Sequence, residues 1–167
     1  AGAECARRAA DSVEKAQPGR VCFVAGAIGP TTKTSSISTD VNNPGARGCT
    51  FDELVASYSE QIKGMLDGGA DVLLVETIFD TLNAKAAFFA IQKSFEEHAI
   101  NPLPFSEVRS QRSEVRSRIV PILASVTFIQ AGSNRGVTGQ TVEAFLNSIS
   151  NVPLLSVGMN CALGPME

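Results

Sequence analysis

The 167-residue chain is 44% hydrophobic and 19% charged, with a net charge of −3 and one histidine. It has no basic face for nucleic acid, no apolar run near the ~18 residues of a membrane span, and no basic stretch leading into an apolar signal core. Cysteines at 5, 22, 49 and 161 form no C-x-x-C pair, which argues against a zinc ribbon or a disulfide framework and for reduced thiols in a cytoplasmic protein.

The first predicted element is a helix over residues 4–17, followed by an apolar strand over 21–26. The loop that follows, 26–36, is rich in glycine and hydroxyls and carries Lys33, yet it matches neither the P-loop nor the dinucleotide fingerprint. A helix is expected from Thr50 to Leu66, because Leu54, Val55, Tyr58, Ile62, Met65 and Leu66 share one face and Thr50 with Glu53 has capping-box spacing. Gly68 and Gly69 end it.

A second buried strand covers 71–76 and closes on Glu76. Asp80 then caps a helix that runs to His98 and is expected to bury Leu82, Ala86, Phe89 and Phe95. Residues 106–117 repeat Ser-Glu-Val-Arg-Ser and interrupt a connection that ordinarily needs ~2–6 residues, which marks a solvated insertion. A strand over 120–126, a helix from Thr138 or Thr141 to Ile149 with Val142, Phe145, Leu146 and Ile149 inward, and a buried strand over 154–159 complete the order.

Continuous apolar strands alternating with amphipathic helices imply a parallel sheet with right-handed crossovers. An open doubly wound sheet and a TIM barrel both satisfy that order. The strand ends favour the barrel: Gly29-Pro30-Thr31, Glu76-Thr77, Ser125 with Thr127, and Asn160-Cys161 would all stand on its C-terminal rim, where sites of that fold lie. Four βα units are half of such a barrel, so the chain, which starts without methionine, reads as one fragment, 1–167, of a single barrel domain.

Glu76 at the rim suits an ammonium group or a base role, and a capping or salt-bridging role fits it as well. Cys161 could be a metal ligand or a buried structural thiol. As a zinc ligand it would be one of a set, since zinc takes three or four donors from protein. His98, at a helix end, reads as a residue that complements the helix dipole.

Several stretches carry a resemblance: 29–31, the run Asp40-Val41-Asn42-Asn43-Pro44, residues 50–55, Glu76-Thr77 with Thr81-Leu82-Asn83-Ala84-Lys85-Ala86, and Gly158-Met159-Asn160-Cys161-Ala162-Leu163-Gly164-Pro165. Together they resemble the homocysteine S-methyltransferase family, and within it the homocysteine-binding module of cobalamin-dependent methionine synthases. The chain departs from that pattern in the repeat at 106–117 and in the stretch after Thr127, which lacks the family's acidic residue.

The resemblance implies a (β/α)8 barrel whose zinc is held by three cysteines. Cys161 corresponds to the first, and the adjacent pair would lie beyond residue 167. It assigns Glu76 to the amino group of homocysteine and makes Asn160 a substrate-binding neighbour. Methylcobalamin on a separate module, recharged from methyltetrahydrofolate on a folate-binding module, would supply the methyl group that yields methionine. The alternatives are a cobalamin-independent homocysteine methyltransferase using betaine or S-methylmethionine, and a non-catalytic half-barrel that serves as an interaction domain.

Overall fold

The computed structural model describes residues 1–102, 118–129, 132 and 134–161. The expected insertion at 106–117 lies outside the described residues. In chain order the elements are α1 (Gly2–Ala16), β1 (Ala25–Ile28), α2 (Phe51–Asp67), β2 (Val72–Ile78), α3 (Thr81–His98), β3 (Ile122–Val126), α4 (Val142–Ile149) and β4 (Ser156–Met159). The strands form one parallel sheet in the order β1-β2-β3-β4. Every crossover therefore moves one place in the same direction. A doubly wound sheet reverses at a switch point, whereas consecutive staves of a (β/α)8 barrel do not, so the fold is that of a partial barrel.

Local chemistry sets the helix ends. Thr50 and Glu53 exchange bonds in a capping box at the start of α2. At its other end Gly69 takes φ 85°, its N–H meets Leu66 C=O and that of Ala70 meets Met65 C=O. That is the Schellman pattern, and it uses glycine because the left-handed position disfavours a Cβ. Gly26 in β1 serves close packing instead, since a Cβ there would lie 2.8 Å from Met65 Sδ on α2.

The core lies between the outer sheet face and the helices: Ile28, Leu73, Val75 and Ile122 from strands meet Leu54, Tyr58, Ile62, Phe88, Ile91, Phe145 and Ile149 from helices. Burying each such side chain contributes ~1.5–3 kcal/mol. The opposite face is open, with Ala25 and Ala27 exposed and Leu74, Leu123 and Ser125 half-buried. Helix α1 buries no residue and is held by Arg7, whose guanidinium reaches Asp71 at 2.8 Å and Asp11 at 2.7 Å.

Four expectations about burial and extent are corrected. The first strand starts at Ala25, because Ala25 already pairs with Val72, the first residue of β2. Val21 and Phe23 precede any partner strand and are exposed. On α3 the inward stripe is Ala84, Ala87, Phe88, Ile91 and Phe95, which turns Leu82 and Phe89 outward, and Phe89 packs edge-on against Phe51 with ring centroids 6.0 Å apart. Leu146 of α4 is likewise exposed. The last strand begins at Ser156 rather than Leu154, and all four of its residues are exposed, because it pairs with β3 alone among the described residues.

Candidate functional site

The C-terminal ends of β2, β3 and β4 bring Glu76, Thr77, Ser125, Asn160 and Cys161 together. Leu73 and Val75 face the helices and are buried, so the two-residue period places Leu74 and Glu76 on the inner face. Glu76 is half-buried, and its carboxylate has no hydrogen bond or ion pair among the described residues.

The period breaks at Thr77. Val75 pairs with Ala124 and Ile78 with Val126, so three steps on β2 oppose two on β3. This bulge holds Thr77 at φ 55°, in the left-handed region. A β-branched residue there carries strain of ~1–3 kcal/mol. The bulge frees the Thr77 N–H from the ladder, and it donates instead to Asn160 Oδ1 at 3.1 Å.

Asn160 follows β4, its own N–H fixed on Val126 C=O at 3.1 Å. Its Oδ1 also accepts from Ser125 Oγ at 2.7 Å, and its Nδ2 donates to Thr77 Oγ1 at 2.7 Å and to Cys161 Sγ at 3.1 Å. A backbone N–H can only donate, so its partner on Asn160 must be the oxygen, which settles the amide orientation. Cys161 is exposed and, at φ 61°, is also left-handed. Thr77 Oγ1 lies 3.9 Å from its sulfur.

Other candidate residues fall elsewhere. Asp80 is buried and caps α3, accepting from Leu82 and Asn83 N–H and also from the N–H and Oγ of Ser36. Asn83 accepts from Ser35 N–H and Oγ and donates to Thr31 Oγ1 and Lys33 C=O. The hydroxyls of Thr31, Ser35 and Ser36 are thus spent fastening their loop to α3 rather than lining a phosphate cradle. His98 ends α3 with Nδ1 2.8 Å from Ser94 C=O, away from the rim.

Cys5 lies on α1, Cys22 ahead of β1, and Cys49 beside the start of α2, where burial first and Glu53 second push its thiol pKa up. Thr127, expected at the rim with Ser125, is buried beside Ile78, Phe128 and Phe145, with no partner for its hydroxyl among the described residues. A groove of about 650 Å3 runs along α3 past Phe88, Phe89, Phe95, Ile100 and Pro153, and no rim residue lines it.

Thr77 was expected at the rim, but the bulge that it forms and its bond to Asn160 escaped the sequence reading. The sequence carries no clear signal for it, because Val72-Leu73-Leu74-Val75 is continuously apolar and sets no alternation that Glu76-Thr77 could break.

The family model described as homocysteine S-methyltransferase matches residues 1–167. Among solved structures, the apo form of the homocysteine methyltransferase MmuM from Escherichia coli aligns with a TM-score of 0.64 at 18% identity, over 95% of this chain and 46% of that one. Its metallated form aligns at 0.65 and its oxidised form at 0.58, both at 19% identity and the same coverage. The chain thus spans a little under half the length of these proteins, and the likeness establishes the fold. With the family model covering it from end to end, the chain belongs to the homocysteine S-methyltransferase family.

Proposed function

We propose that this chain is part of a zinc-dependent barrel that binds homocysteine as a thiolate and methylates it to methionine, with methylcobalamin on a separate module as methyl donor and methyltetrahydrofolate as its source. The observation that carries the reading is an exposed Cys161 thiol held on the inner rim by an amide N–H at 3.1 Å, on the face to which strand alternation assigns Glu76.

The donor set fits zinc in part. Cys161 is a soft ligand of the right kind, and no group of three His, Cys, Asp or Glu gathers among the described residues. Two further sulfur ligands would come from the rest of the barrel, outside this chain. When bound there, zinc would lower the pKa of the homocysteine thiol, so that the substrate sulfur is a nucleophilic thiolate at neutral pH.

The chain's own residues have separate tasks in this reading. Cys161 contributes one thiolate ligand. Glu76, without a partner among the described residues, takes the substrate ammonium in a charge-assisted hydrogen bond. The Asp40–Pro44 and Thr81–Ala86 runs support the cobalamin-linked donor over betaine or S-methylmethionine.

The test uses the full-length protein. Metal analysis of Cys161→Ser is expected to show reduced zinc occupancy, because a hydroxyl is a hard, high-pKa replacement for thiolate. Unchanged zinc stoichiometry would remove Cys161 from the site. Methyl transfer assayed with methylcobalamin, betaine and S-methylmethionine in turn decides the donor, and turnover with betaine or S-methylmethionine alone would overturn the cobalamin assignment.

A further inference from the structure

Asn160 has two amide N–H donors and two carbonyl lone pairs, and all four are engaged, by Thr77 N–H, Thr77 Oγ1, Ser125 Oγ and Cys161 Sγ. None remains for a ligand. The partners lie on or beside three different strands, β2, β3 and β4. Two of them, Thr77 and Cys161, are left-handed non-glycine residues, and such conformations persist only where the surroundings over-determine them.

We propose that Asn160 is a positioning residue and not a substrate ligand: with Ser125 and the Thr77 bulge it forms a clamp that fixes the Cys161 sulfur relative to Glu76. The Oδ1 side of the amide holds the bulge in place by capturing the Thr77 N–H. That N–H belongs to the residue directly after Glu76, so the direction in which Glu76 leaves the strand depends on it. The Nδ2 side directs one N–H at the sulfur and so sets where that sulfur stands. The catalytic meaning of the clamp rests on the reading of Cys161 as a metal ligand and Glu76 as the ammonium site; the clamp itself rests on hydrogen bonds alone.

The two halves are separable by substitution. Asn160→Asp keeps the acceptor for Thr77 N–H and Ser125 Oγ but loses both N–H donors, whereas Asn160→Ala loses everything. In the full-length protein, amide hydrogen exchange at Thr77 should stay slow in Asn160→Asp and rise at least about tenfold in Asn160→Ala, as a protected N–H becomes free. With cobalt(II) in place of zinc, Asn160→Asp should retain the sulfur charge-transfer band and shift the ligand-field bands, and homocysteine affinity should fall about tenfold. Ser125→Ala, which removes one bond only, should move the same readouts in the same direction by less.

Unchanged Thr77 exchange in Asn160→Ala would overturn the clamp. Unchanged cobalt spectrum and homocysteine affinity in Asn160→Asp would overturn its positioning role. Failure of the underlying reading looks different: Cys161→Ser with an undiminished sulfur charge-transfer band would take Cys161 off the metal, and the catalytic meaning of the clamp with it, while Thr77 exchange would still report whether the clamp exists.

Discussion

Asn83 and Asn160 stand at the same end of the sheet, and each uses its full hydrogen-bonding capacity to join segments far apart in sequence. Asn83 is 3% exposed, and its partners are hydroxyls and main-chain groups of one loop, residues 31–35. Asn160 is only half-buried, holds two left-handed residues, and spends one N–H on a sulfur. The same amide therefore serves two ends: dry and among unreactive partners it fastens a loop, and at an open rim beside a thiol it sustains strain that packing alone would release.

The largest effect expected from breaking this contrast is on stability. Asn83→Ala leaves the N–H and hydroxyl of buried Ser35 without their acceptor and should cost about 3 kcal/mol in the full-length protein. Denaturant unfolding measures it, and Thr77 amide exchange should remain slow. A loss below about 1 kcal/mol would show that the loop is held by other contacts.

Next comes binding at the open rim. Glu76→Gln removes the charge expected to face the substrate ammonium while keeping the size, so homocysteine affinity should fall about tenfold or more with zinc content unchanged. Calorimetric titration checks this, and an unaltered affinity would make Glu76 structural.

Thr127 sharpens the comparison from the other side, as a buried polar group with no partner among the described residues. Thr127→Val exchanges its orphan hydroxyl for a methyl of similar shape and should stabilise by about 1 kcal/mol. A destabilisation of that size would mean that a water satisfies the hydroxyl.

Strain without a site provides the control for strain within one. Ala99, at φ 51°, is left-handed at the end of α3 far from the rim, so Ala99→Gly should stabilise by about 0.5–1 kcal/mol. Thr77→Gly relieves similar strain but forfeits the Oγ1 bond to Asn160, and its net stability change should be close to zero. Equal gains at both positions in thermal unfolding would show that the Thr77 hydroxyl contributes nothing.

The smallest effect is at an exposed cap. The Thr50 N–H, with the Thr50 hydroxyl second, holds the Glu53 carboxyl below its ordinary value of 4.5. A depressed carboxyl stabilises the fold above its unfolded-state value, and that contribution is lost as pH falls through the lower folded-state value. Glu53→Gln should therefore narrow the difference in unfolding midpoint between neutral pH and pH values below 4.5. Identical acid sensitivity in the two proteins would exclude the cap as a contributor.

Much of the fold was legible along the chain because its signals act over a few residues. Thr50 caps a group three positions away, Gly69 ends a helix by its own backbone freedom, and the 2.0 and 3.6 periods repeat within one element. These signals yielded the element order, the parallel sheet and the placement of Cys161 just past a strand end; Glu76, expected to close its strand, stands two residues before β2 ends at Ile78. Element order alone allowed a barrel or a doubly wound sheet, the residues at the strand ends favoured the barrel, and the consecutive order β1-β2-β3-β4 bears that out.

Tertiary structure alone decided the rest. Where β1 begins depends on where β2 begins, 47 residues later, through the bond from Val24 N–H to Asp71. Which face of α3 turns inward depends on neighbouring elements, and its alanine-rich sequence marks that face weakly. The tie from Asn160 to Thr77 spans 83 residues. No window of sequence contains both partners, and neither residue type by itself indicates a clamp. What the sequence by itself determined was which chemical groups arrive at the rim; how they are aimed followed from bonds between strands that only folding brings together.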